Sequence, residues 1–185
     1  MTLKSTDDNW SSVSKFFHWL IVLLILGQGT FGLLMGELAA DNTQRMQLVG
    51  LHKSIGFLIL SLAVLRLLWR LYAGAPQPVP ETPRWQRVAA GASHGLLYLL
   101  LLLIPISGWV MSSAAGGFNQ SFFGLFDVPS LVAQDQARRE GAGQAHETLF
   151  WILVFVAAMH AAAAFYHHLF QGDATLRRML PGGRR

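Results

Sequence analysis

The stretch His146–His168, reading HETLFWILVFVAAMHAAAAFYHH, is an apolar run with histidine at both ends and two more, His160 and His167, within it. About 20 such residues are what an α-helix needs to cross the hydrocarbon core of a bilayer. The 14 positions from His146 to His160 correspond to a helical rise of about 21 Å and a net rotation within roughly 40° of whole turns. The two imidazoles therefore share a face at two different depths. His167 follows His160 by 7 positions, about 10 Å further along on nearly the same face.

Three more apolar runs of similar length precede this one. Together they predict an all-α integral membrane four-helix bundle, a single membrane domain over 1–185 with spans at about 14–36, 51–72, 88–113 and 145–170. The first run continues too long for a signal peptide and has no small-residue cleavage site. A polar loop from Glu37 to Gln47 is expected between spans 1 and 2, a proline-rich one (Pro76, Pro78, Pro80, Pro83) between 2 and 3, and a long outer loop, 114–144, between 3 and 4. In that loop Phe118 to Ala133 mixes aromatics with polar residues, as expected of an amphipathic piece along the interface or of a folded cap over the bundle.

The bulk numbers agree with a membrane chain: 52% hydrophobic, 13% charged and a mean hydropathy of +0.39. With no cysteine, disulfides, thiolate zinc sites, iron–sulfur clusters and covalent C-x-x-C-H haem attachment are excluded. The net charge of +4 does not point to nucleic acid, because the basic residues stand at the ends of apolar runs and not on one face among aromatics. Topology accounts for them. Lys4, Lys15, Arg66, Arg70, Arg84, Arg87, Arg177, Arg178, Arg184 and Arg185 fall on the side of the termini, against Arg45, Lys53, Arg138 and Arg139 on the other. The positive-inside rule then puts both termini in the cytoplasm.

All seven histidines, at 18, 52, 94, 146, 160, 167 and 168, lie in or at the edge of a predicted span. One membrane histidine usually serves a hydrogen bond between helices. Seven so placed ask for a different explanation, and neutral imidazole is a ready ligand for haem iron. One helix offering ligands at two depths suits two haems stacked across the membrane. The small residues Ala157, Ala158 and Ala161 to Ala164 around His160 leave room for a flat macrocycle, although they equally permit close helix packing. By depth His52 pairs with His146, with Gly56 one turn on clearing space for a porphyrin edge. His160 can pair with either His18 or His94, and spacing does not choose.

The runs Phe17-His18-Trp19-Leu20, Leu51-His52-Lys53-Ser54-Ile55-Gly56, Arg66-Leu67-Leu68-Trp69-Arg70, His146-Glu147-Thr148-Leu149 and His160-Ala161-Ala162-Ala163-Ala164-Phe165-Tyr166-His167-His168 closely resemble the bacterial cytochrome b561 family over nearly the whole chain. The resemblance implies a multi-pass protein of the bacterial inner membrane with two haems b as its cofactors. It also implies that His18 and His160 hold the inner haem iron and His52 and His146 the outer. Some members of that family oxidise superoxide and pass the electrons to ubiquinone.

Arg66, 14 positions after His52, should lie at the level of the inner haem, where a guanidinium can pair with a propionate or reach the inner headgroups, as Arg70 is expected to do. Lys53 beside His52 can attract a small anion or hold an outer propionate, or simply be solvated. His94 is left for a propionate, a quinone or a plain interhelical contact. His167 is placed to hydrogen-bond a quinone carbonyl and relay a proton, and His168 points elsewhere on the helix toward the interface. The expected function is transmembrane electron transfer between a periplasmic donor, superoxide or a redox protein, and the quinone pool. The alternative is a quinone-linked cytochrome anchor of a larger hydrogenase or dehydrogenase. The Gly32-Leu33-Leu34-Met35-Gly36 run can serve a contact between copies in a homo-oligomer or packing inside the bundle.

Overall fold

The computed structural model describes residues 4–6, 8–80, 82–116 and 120–183. Four helices make up most of it: α1 (Ser12–Leu38), α2 (Asn42–Ala73), α3 (Arg84–Ala114) and α4 (Gln136–Leu169). Each is long and apolar enough to span a bilayer. Their starts follow local chemistry. Side chains of Ser11, Asp41 and Asp135 accept the Ser14, Gln44 and Arg138 amides at the first turns of α1, α2 and α4, each satisfying a donor that the helix leaves without a partner. Pro83 stands immediately before α3, where its fixed φ favours helix entry and no amide is needed.

The helices extend past the expected spans. The polar loop expected from Glu37 to Gln47 shrinks to residues 39–41, because Asp41 caps a helix that already begins at Asn42. The outer loop expected at 114–144 shortens likewise, since Asp135 starts α4 at Gln136. These extra turns are polar, so hydropathy alone does not see them. Within the loop, β1 (Ser121–Phe122) and β2 (Phe126–Asp127) form a hairpin, Ser121 opposite Asp127. Phe123 and Gly124 turn it with positive φ. The buried Ser54 hydroxyl of α2 accepts the Phe123 amide at 3.0 Å, and the buried Gln120 side chain bridges Ser112 of α3 and the Pro129 carbonyl. The segment is thus a cap pinned on two helices. Phe118, counted in the expected amphipathic piece, lies outside the described residues, as do Arg184 and Arg185 of the charge count.

Sequential helices pack against one another, α1 on α2, α2 on α3 and α3 on α4. Ile21, Ala63 and Leu101 form a small buried core between the first three. Across the bundle the Phe150 ring of α4 fills the notch at Gly29 of α1, where a Cβ would stand 2.9 Å from it. Most large apolar side chains, among them Leu23, Leu68, Phe155 and Leu169, face outward, as a lipid-facing surface requires. The start of α1 and the segment after α4 lie at one end of the bundle, here the terminal end; the hairpin marks the loop end. After α4 the chain folds back over the start of α1. Trp19 donates its indole N–H to the Met179 carbonyl at 2.9 Å, and the Lys15 ammonium donates to the Leu180 and Gly183 carbonyls. Buried Arg178 donates to the Gln77 carbonyl at 2.8 Å. Lys15 and Arg178, read from sequence as topological charges, are therefore also staples of the terminal end.

Candidate functional site

At the loop end, His52 of α2 and His146 of α4 face each other with ring centroids 6.3 Å apart. They line a cavity of about 400 Å³ bounded also by Gly56, Phe57, Gly108 and Trp109, within the size range of ligand pockets. His146 is held by α3. Its Nδ1 donates to the Ile104 carbonyl at 2.9 Å, with the Ser107 hydroxyl at 3.2 Å. Pro105, next in the chain, has no N–H to give the helix ladder and loosens the local hydrogen bonding. A carbonyl can only accept, so Nδ1 carries the proton and Nε2 keeps its lone pair, the tautomer a metal ligand needs. His52 is placed by contact: a Cβ on Gly32 would lie 2.9 Å from its Cε1, and a Cβ on Gly108 would lie 3.1 Å from that of His146. Gln28 donates to the His52 carbonyl at 2.7 Å, and the His52 Nδ1 is buried with no hydrogen-bond partner. Gly56 has open space where a side chain would stand.

At the terminal end the four helices contribute one polar group each: His18, Arg66, His94 and His160. The His18 and His160 rings are 6.5 Å apart and those of His94 and His160 5.2 Å. Arg66 faces inward. Its Nη2 donates to His18 Nδ1 at 3.1 Å and its guanidinium lies 5.4 Å from the Tyr98 ring. Because a guanidinium only donates, neutral His18 in this state carries its proton on Nε2, opposite to His146. Arg70 lies over the Trp10 and Tyr98 rings.

His167, in the last turn of α4, donates from Nδ1 to the Asp173 carboxylate at 2.6 Å. The Asp173 carboxyl is held below the usual aspartate range. Burial works against this, and the bonds from Thr175 and His167 outweigh it. His168 Nδ1 is buried and without a hydrogen-bond partner.

Sequence reasoning did not single out Gly108, Ser107, Tyr98, Gln28 or Asp173. Tyr98 could have been found, standing four positions after His94 and so on its face. Asp173 offered a signal too, an acid just past a helix end. The Ile104 carbonyl has no side-chain signature.

The family model for prokaryotic cytochrome b561 matches residues 9–182. The chain belongs to the prokaryotic cytochrome b561 family. It is 39% identical over 180 residues to cytochrome b561 homolog 2 of Escherichia coli strain K12, covering 97% of this chain and 95% of that one. It is 30% identical over 172 residues to the probable superoxide oxidase CybB of Yersinia pestis, covering 93% and 96%. A cytochrome b562 of Cereibacter sphaeroides is 29% identical over 178 residues, covering 94% and 96%. This cytochrome b561 is accordingly a multi-pass protein of the bacterial inner membrane that carries haem b and transfers electrons.

The residues present fit that cofactor. Two imidazoles that shared one metal ion through bonds of about 2 Å would have ring centres up to roughly 6 Å apart. The His52–His146 and His18–His160 separations match this, and the His94–His160 separation is about 1 Å short of it. At the loop end the open space at Gly56, the buried His52 Nδ1 without a partner and the prepared His146 tautomer fit a planar ligand between the two rings. At the terminal end the Arg66 bond to His18 must yield before His18 can ligate through Nε2.

Proposed function

We propose that this cytochrome holds two haems b, one between His52 and His146 and one between His18 and His160, and moves electrons from superoxide at the outer face to ubiquinone at the inner face. The observation that carries this reading is the repetition of one imidazole separation, 6.3 and 6.5 Å, at two levels of the bundle. The pairs share α4, whose 14-residue step from His146 to His160 sets them about 21 Å apart in depth. Bound haem would supply a one-electron carrier at each pair, with the two facing imidazoles as the residues that hold it.

The excess of Lys and Arg at the terminal end supports a cytoplasmic location for both termini. The His52–His146 pair then faces the periplasm. There Lys53, in the wall of the same cavity, supplies a positive charge that attracts a small anion. Two superoxide anions each give up one electron and leave as dioxygen; one quinone takes two electrons and two protons and leaves as quinol. His167, at the cytoplasmic end of the shared helix, hands protons to the quinone. Arg66, which reaches His18 at 3.1 Å, would be the residue to pair with a haem propionate there, a charge-assisted bond of the kind that guanidinium favours. His94 keeps its proton-bearing ring for a polar contact beside that site. The likeness to a probable superoxide oxidase supports the choice of donor.

The test is superoxide added to purified, haem-loaded protein with a short-chain ubiquinone. One quinol formed per two superoxide consumed is the expected result. No quinol from a fully loaded protein would assign the electrons to a different donor.

A further inference from the structure

We propose that Asp173 is the positioning residue for proton delivery to quinone, fixing the tautomer and direction of His167; this rests on the reading of His167 as the quinone-side imidazole. α4 ends at Leu169, and Gly172, at φ +65°, reverses the chain so that the Asp173 amide donates to the His167 carbonyl at 3.1 Å. The carboxylate is then divided. Oδ1 accepts the Thr175 amide at 2.7 Å and Oδ2 accepts His167 Nδ1 at 2.6 Å. Both side chains are mostly shielded, with 17% and 14% of their surfaces exposed.

Capping the helix end does not by itself call for an acid here. Any residue with an amide could cap the His167 carbonyl, and the amide oxygen of asparagine would serve Thr175. A carboxylate at a helix C-terminus stands against the negative end of the helix dipole. What it adds is a charged acceptor for a ring N–H. The Nδ1 proton is thereby fixed, Nε2 is left as the working nitrogen, and the imidazolium formed when Nε2 takes a proton is stabilised. A base oriented by a third group is the arrangement general acid–base chemistry uses. The nearby cations are engaged elsewhere: Arg177 donates to the Gly172 carbonyl, and Arg178 to Gln77 with Asp8 at 3.7 Å. Tyr166 meets His167 edge-on.

The proton balance is simple. Nε2 of neutral His167 takes a proton from water at the terminal face and gives it to a quinone carbonyl oxygen as an electron arrives from the inner end of the electron path. Two such transfers with two electrons convert the two carbonyls to hydroxyls. His167 returns to neutral each time, and Asp173 stays ionised throughout.

The experiment uses the full haem-loaded chain, reduced beforehand, with ubiquinone-1 as acceptor, and reads kcat and KM together with the ¹⁵N spectrum of labelled histidine. Asp173→Asn should lower kcat about a hundredfold with the KM for quinone and the haem spectrum unchanged, and should turn the single Nδ1–H form of His167 into a tautomer mixture. Asp173→Glu, which keeps the charge, should recover most of the rate; it also carries the comparison if the asparagine variant folds poorly. Wild-type kcat and an unchanged His167 signal in Asp173→Asn would overturn the proposal, as would an Asp173→Glu protein as slow as Asp173→Asn with normal haem. His167→Gln separates the two readings. If it is slow while Asp173→Asn is fast, only the role of Asp173 fails; if it turns over like wild type, the quinone reading itself fails.

Discussion

His52 and His146 confront each other across the loop end of the bundle at a centroid separation of 6.3 Å, each with a glycine of a third helix against its ring. Gly32 of α1 presses on His52 and Gly108 of α3 on His146. All four helices thus set one pair of imidazoles at a distance suited to a metal between them.

The proposed choice of His18 over His94 as partner to His160 rests on the same spacing. His94→Ala should retain two haems per chain and His18→Ala only one, measured by pyridine haemochromogen against protein mass. Loss of haem in His94→Ala with retention in His18→Ala would reverse the pairing.

The architecture was legible because four apolar runs of bilayer length leave few other folds, and because period and depth survive in the positions of the histidines. His146 and His160 could be placed on one face by counting alone. What was not legible depends on contacts between distant segments. Gly32 was visible as a small residue but not as the rest for His52, 20 positions on. The tautomer of His146 depends on the Ile104 carbonyl of another helix. The polar first turns of α2 and α4 escaped because hydropathy is silent outside the membrane, although Asp41 and Asp135 stood in the cap positions.

The glycine contacts carry a prediction of their own. Gly32→Val places side-chain atoms where the His52 ring now lies and should abolish the outer haem while leaving the inner one, halving the haem content. Gly36→Ala, one turn on and with open space around it, should load normally. Full loading in Gly32→Val would show that the His52 ring moves away from Gly32 when haem binds.

Arg66 should govern the inner potential. A guanidinium beside a haem favours the reduced, less positive form, so Arg66→Leu should lower the midpoint of one haem by about 50 mV, close to a tenfold change in a one-electron equilibrium, and leave the other unmoved. A redox titration followed at the haem bands resolves this. Equal shifts in both haems would place the effect in the fold at large.

Asp173 should also make stability depend on pH in one direction. Its carboxyl is depressed in the folded state, so its contribution is present above the ordinary value of 3.8 and is lost as pH falls through the lower folded value. Wild type should exceed Asp173→Asn by about 1–2 kcal/mol at neutral pH, and the gap should close in acid. Thermal unfolding in detergent at a series of pH values measures it, and a gap that widens in acid would contradict the assignment.

The most direct test of two bis-histidine haems in one bundle is the dithionite-reduced minus oxidised spectrum of the purified protein with haem counted per chain, run beside His160→Ala. The expected result is a b-type spectrum with two haems in wild type and one in the variant. One haem in wild type, or two in His160→Ala, would contradict it.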